Sequence, residues 1–234
     1  MDRLYLRWIA ANTWSESAGL GTTLLLGWVI APHLAGRGPG PIILTGIIAV
    51  LLGVLLEGLV VGWAQERVLG GVVPIRRGSW VLATSIGALL AWLVGMVPST
   101  VLALGATSQP NDVIGEPSPG VRFLLAIGLG LVTGPLLGAA QGVVLQRSIP
   151  GAWRWLVANA AGWAAGMPVI FAGMDLVPWQ GSRGSVAISI YLVTAIAGAV
   201  VGTIQGRFLT ALVGSARAPA GRPRFDGHPL APFG

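Results

Sequence analysis

The sequence predicts an all-α protein, a six-helix transmembrane bundle built from three repeated helical hairpins and pseudo-threefold about the membrane normal. Three observations predict it. First, the 234 residues are 54% hydrophobic and 9% charged, with a mean hydropathy of +0.78; a soluble domain carries about a quarter charged residues. Second, apolar runs of about 20 residues or more, the length that crosses a bilayer, recur along the chain. Third, the frame G-x-x-x-G-x-x-Q-x-x-x-L occurs three times: as Gly58, Gly62, Gln65 and Leu69; as Gly134, Gly138, Gln141 and Leu145; and as Gly198, Gly202, Gln205 and Leu209.

The spans follow in order as roughly Leu4–Ala31, Pro41–Leu69, Ser79–Ala106, Val121–Ser148, Ala152–Val177 and Gly184–Val213. Turn-forming residues separate them. Gly36, Gly38, Pro39 and Gly40 follow the first span, and Pro74 with Arg76 and Arg77 follows the second. The stretch Thr107–Gly120, with Pro110, Pro117, Pro119, Asp112 and Glu116, reads as an extended polar loop, and Ile149-Pro150-Gly151 as a tight turn. Pro98, Pro135 and Pro168 are expected to kink or shorten their spans, because proline lacks the amide that closes a helical turn. Residues 1–213 thus form one membrane domain with repeats at about 4–69, 79–148 and 152–213. Residues 214–234, rich in Arg and Pro, are expected to be a disordered cytoplasmic tail able to touch anionic headgroups. Arg3 and Arg7 are not expected to open a cleavable signal peptide, since Asn12, Thr13, Ser15, Glu16 and Ser17 follow where an apolar core is needed.

The charge reports topology. All 14 basic residues are arginine. Eleven of them (3, 7, 67, 76, 77, 147, 154, 207, 217, 222 and 224) fall on the side of the termini, against Arg37, Arg122 and Arg183 on the other. Positive residues accumulate on the cytoplasmic side, so both termini are expected there, in a multi-pass protein of the cell (inner) membrane. A pI of 11.4 would otherwise suggest nucleic acid; arginines confined to loops between apolar spans do not, and no nucleic-acid partner is expected.

A second frame, W-x-x-A-[NT]-x-x-[GS], marks the odd spans: Trp8, Ala11, Asn12, Ser15; Trp80, Ala83, Thr84, Gly87; and Trp155, Ala158, Asn159, Gly162. Offsets of 0, 3, 4 and 7 share one helix face, and the indoles lie where an amphipathic ring favours the membrane interface. In the even spans the glycines make a flat face on which another backbone can pack closely. Gln65, Gln141 and Gln205 then lie level with Asn12, Thr84 and Asn159, and these six are the candidate polar interhelical positions. The alternative reading of the glutamines is a polar ring lining a path near the cytoplasmic face; interhelical bonding is favoured.

The threefold frame resembles that of a group of uncharacterised bacterial polytopic membrane proteins with repeated G-x-x-x-G-x-x-Q-W-x-x-L and tryptophan-led spans. The resemblance covers about Trp8 to Leu209 and departs after the glutamine, where this chain has Glu66, Gly142 and Gly206 in place of Trp. It implies membrane insertion and the repeat, and carries no activity. Mitochondrial-type carriers also use three hairpins, but their P-x-[DE]-x-x-[KR] signature is absent.

Residues common to all three copies read as scaffold, and residues that break the repeat read as candidates for function. Two carboxylates break it. Glu57 stands where the other copies have Thr133 and Ala197, and Glu16 where they have Ala88 and Trp163. Glu57 is ten residues from Arg67 and Glu16 nine from Arg7, which places both roughly 14–15 Å deep, near the midplane. An ionised side chain there costs at least about 2.5–3.5 kcal/mol and marks a candidate proton or cation site. Two such groups close together share a proton more readily than both ionise. The competing role is a hydrogen bond to a neighbouring helix. Glu66–Arg67 reads as an interfacial pair, and Asp175 as an outer-interface residue.

Signatures of catalysis are missing. His33 and His228 lie in loops, the chain has no cysteine and no lysine, and neither H-E-x-x-H nor a phosphate-binding G-x-x-x-x-G-K-[ST] occurs, so no enzyme, metal site or cofactor is expected. Two function classes remain. The sequence slightly favours a non-catalytic packing or accessory component of a membrane assembly, with lipid, itself or other membrane proteins as partners. The alternative is a small-solute or ion translocating protein, proton-coupled through Glu57. A polar cavity at the depth of Glu57 would favour the alternative.

Overall fold

A computed structural model describes residues 2–34, 38–108 and 117–217. It is all-helical, with six helices long and apolar enough to cross a membrane. They are α1 (Asp2–Leu34), α2 (Pro39–Leu69), α3 (Ser79–Ser108), α4 (Pro119–Leu145), α5 (Arg154–Asp175) and α6 (Arg183–Arg217). Helices dominate because lipid offers no hydrogen-bond partner, so each backbone amide must find one within its own segment. Residues 109–116, Arg37, His228 and the tail beyond Arg217 lie outside the described residues.

Local chemistry explains several ends. Pro39 and Pro41 open α2, and Pro119 opens α4, where a missing amide costs nothing. Ser118 Oγ accepts from Val121 N, and Ser182 Oγ accepts from Ser185 N ahead of α6. Gly78 and Gly151 turn the chain with φ of +76° and +75°, a region that favours glycine. α4 ends at Leu145, three residues short of the expected Ser148, and α6 continues to Arg217. Pro98, Pro135 and Pro168 all lie inside continuous helices.

Each helix packs on its two neighbours in sequence, and α6 packs on α1, so the six close into a ring. Around Gly130 and Gly134 of α4, the backbone of α5 comes close enough that an added Cβ would strike the carbonyls of Trp163 and Asn159. α6 meets α1 the same way: a Cβ on Gly198 would lie 2.5 Å from Asn12 O. At the end that carries the N-terminus, the bundle is sealed. Trp8, Trp80, Trp155, Leu69, Leu145 and Leu209 are fully buried there, in one cluster with Val73, Ile149 and Leu212. The three indoles meet at centroid distances of 5.6 to 6.4 Å, two of the three pairs edge to face, a favoured aromatic geometry.

Two features differ from the sequence reading. Glu66 and Arg67 do not pair. Glu66 Oε1 instead accepts from Gly78 N at 2.8 Å and Oε2 from Val81 N at 3.3 Å, which caps the start of α3; Arg67 stacks on the Trp63 ring at 4.3 Å. A carboxylate gains more from free amides at a helix N-terminus than from a solvated arginine. Glu66→Ala is expected to cost about 1 kcal/mol, read as a lowered unfolding midpoint, with Glu66→Gln recovering part of the loss. The second difference is in α2, where Gly53–Gly58 forms a π-helical turn. Asp175 pairs with Arg122 at 3.0 Å, at the end opposite the sealed layer.

Candidate functional site

The π-helical turn positions Glu57. A wide turn inserts a residue into the helix and rotates the face that follows, and such turns concentrate at functional sites. Here Gly53 leaves room for the Trp92 ring, which occupies the space a Cβ would take. Trp92 Nε1 then donates to Glu57 Oε2 at 2.8 Å. On the other side of α2, a Cβ on Gly19 of α1 would lie 2.8 Å from Glu57 Cα, so the turn is clamped between α1 and α3. Thr23 Oγ1 supports it with a bond to Leu52 O at 3.4 Å.

Glu16 comes from α1, one turn before Gly19, and is 2% exposed. Its side chain passes over Gly198 of α6, where an added Cβ would lie 2.8 Å from Glu16 Cβ. Glu16 Oε2 has no hydrogen-bond partner. Glu16 and Glu57 line one cavity of about 270 Å³. The rest of the wall is mostly apolar and aromatic, with Trp92, Trp163, Phe171, Met96 and Met167. Among the described residues no cluster of three or more metal-ligating side chains occurs.

No protein-family model, curated protein or solved structure matches this chain. Its site is therefore read from its own geometry.

The cavity floor is Thr84, which belongs to a buried hydrogen-bond network. Gln65 Nε2 donates to Asn12 Oδ1 at 2.9 Å, and Gln65 Oε1 accepts from Trp80 Nε1 at 2.9 Å. Gln141 Nε2 donates to Thr84 Oγ1 at 3.0 Å and to Gln65 Oε1 at 3.1 Å, and its Oε1 accepts from Trp155 Nε1 at 2.8 Å. Gln205 Nε2 donates to Asn159 Oδ1 at 2.9 Å. Gln205 Oε1 and Trp8 Nε1, an acceptor and a donor, are both unpartnered. All six candidate polar positions are thus buried in one layer beneath the cavity, and Glu16 and Glu57 sit above it. Because Trp8 Nε1 makes no bond, Trp8→Phe is expected to cost less than Trp155→Phe by about 1 kcal/mol, measured as the difference in unfolding free energy in micelles. An equal cost would mean that Trp8 and Gln205 pair in solution.

Sequence reasoning missed Trp92 and Trp163. For Trp163 a signal existed: Glu16, Ala88 and Trp163 all stand eight residues after the leading Trp of their spans, and all three line the cavity. The same holds for Glu57 and Thr133, both of which precede the first glycine of their frames. Trp92 carried no such mark, since its contact with Glu57 spans 35 residues and depends on the π-helical turn.

Proposed function

We propose that the protein translocates a small solute or ion across the cell membrane, coupled to protons, with Glu57 and Glu16 as the coupling carboxylates. The cavity at Glu57 carries this reading: its wall is mostly apolar rather than the polar one expected, and its charged groups are the two carboxylates. A packing protein has no use for a cavity at mid-membrane depth, and a carboxylate there is costly unless it has a function. The competing role, a non-catalytic component of a membrane assembly, draws on the close glycine contacts and on the bond from Trp92 of α3 to Glu57, but leaves Glu16, with its unpartnered Oε2, without a task.

We read the six helices as three hairpins repeated in one orientation about an axis along the membrane normal, with both termini cytoplasmic. Two features support this. In each frame the glutamine donates to the Asn or Thr of its own hairpin. Gln65 and Gln141 also accept from the leading Trp of the next hairpin; Trp8 and Gln205 are the pair that would complete the cycle. The glutamine and tryptophan layer then closes the cavity toward the cytoplasm. Translocation requires that this layer part, which makes it the inner gate of an alternating-access cycle.

The absence of cysteine allows a direct test. Thr133→Cys places one thiol on the cavity wall. In oriented vesicles a membrane-impermeant maleimide is expected to label it from the outer face and, more slowly, from the cytoplasmic face. Labelling from neither face, with the variant folded, would sink translocation and leave the packing role. A cysteine at Ser215 is expected to react from the cytoplasmic face alone, which tests the orientation.

A further inference from the structure

The cavity holds two carboxyl groups that the bundle does not answer from within. Glu57 has the Trp92 N–H, but Glu16 Oε2 is buried without a partner, and so is Trp163 Nε1. No basic side chain lines the wall. On the helices that pack against Glu16, Glu57 is the facing titratable group. α6 carries no charged residue between Arg183 and Arg207, and its Tyr191 hydroxyl is engaged with Thr22. α4 carries none between Arg122 and Arg147, α3 has none within its span, and α5 has none between Arg154 and Asp175.

The wall discriminates among cations. Calcium and magnesium take six or more oxygen ligands, yet beyond the two carboxylates the oxygen-bearing side chains of the wall are Thr84, Thr133 and Ser99. Thr84 Oγ1 both donates to Trp80 O and accepts from Gln141 Nε2, so a divalent ion would draw nearly all its protein ligands from the two carboxylates. What remains is aromatic and aliphatic surface, which suits a cation that carries its own apolar body and lies against indole faces. The volume of about 270 Å³ falls just below the range of about 300–1,000 Å³ for ligand cavities, so the ligand is small.

Building on the translocation reading, we propose that the cavity binds a small organic monocation of the substituted-ammonium class, its charge against Glu16 and Glu57 and its apolar body against Trp92 and Trp163, and that it exchanges for one proton. The exchange balances. The carboxylate pair releases a proton to water as the O–H bond breaks, and the cation takes its place by charge pairing; no bond to carbon changes and the charge of the site is conserved. Without a ligand the shared proton reduces the pair from two buried negative charges to one.

The test is calorimetry on the full chain in lipid nanodiscs with benzyltrimethylammonium as probe, and benzyl alcohol as a neutral comparator. Titrations in two buffers of different ionisation enthalpy count protons. Saturable binding with release of about one proton per cation, weakened about tenfold or more in Glu16→Gln and partly regained in Glu16→Asp, is the expected result. Glu57→Gln provides a second neutral variant if Glu16→Gln does not fold. Equal binding of benzyl alcohol, undiminished binding in both Gln variants, or binding without proton release would each overturn the proposal. Absence of cation binding together with labelling of Thr133→Cys from both faces would remove the ligand class and leave translocation standing; absence of both would remove the two together.

Discussion

Gly134→Ala is expected to force α4 off α5 and to destabilise the bundle by about 1–3 kcal/mol, the usual cost of overpacking a close contact. The added methyl would fall on Asn159 O, with Asn159 C at 2.8 Å and Ala160 Cα at 3.0 Å. These are backbone atoms, which cannot swing aside as a side chain can. Gly128 on the same helix has open space around it, so Gly128→Ala is expected to be neutral or mildly stabilising, since alanine is the better helix former by up to about 1 kcal/mol. Unfolding of both variants in mixed micelles decides the matter. Equal stability would mean that the α4–α5 contact is looser than the structure has it. Separation there would also disturb Asn159, the partner of Gln205, and Trp163 on the cavity wall.

Gln141→Leu is expected to cost about 2 kcal/mol, and Gln205→Leu a third of that. Hydrogen bonds between helices in lipid average about 0.6 kcal/mol and reach about 1.7. Gln141 makes three, to Thr84, Gln65 and Trp155, whereas Gln205 makes one and keeps an unpartnered oxygen. Truncating Gln141 also orphans the Trp155 indole N–H in a buried layer, which adds to the loss. The same micelle unfolding experiment ranks the two. If Gln205→Leu cost as much as Gln141→Leu, the bond between Trp8 and Gln205 must form in the membrane. Under the translocation reading, both variants are also expected to speed labelling of the cavity from the cytoplasmic side, because each weakens the layer that closes it.

Several parts of the site were within reach of the sequence. The offsets from Arg7 and Arg67 placed Glu16 and Glu57 at one depth, and both line the cavity. Glu66 was misjudged because charge adjacency suggested Arg67, whereas the free amides it caps belong to Gly78 and Val81, beyond a loop. The π-helical turn left no mark, since Gly53 is one glycine among 36 and its role depends on the Trp92 ring arriving from α3.

By itself the sequence determined six apolar helices, the layer of Trp, Gln, Asn and Thr as positions on shared helix faces, and the two carboxylates that break the pattern. Helical periodicity and the demand for internal hydrogen bonding in lipid are local rules, so they can be read along a single strand of text. The tertiary structure decided which glutamine meets which tryptophan, that Trp8 and Gln205 stay unpartnered, and that Glu16 and Glu57 share a cavity with Trp92 and Trp163. Those outcomes depend on how each helix is rotated against its neighbours and on where the packed atoms leave room. A cavity is a property of six helices together, and no one of them encodes it.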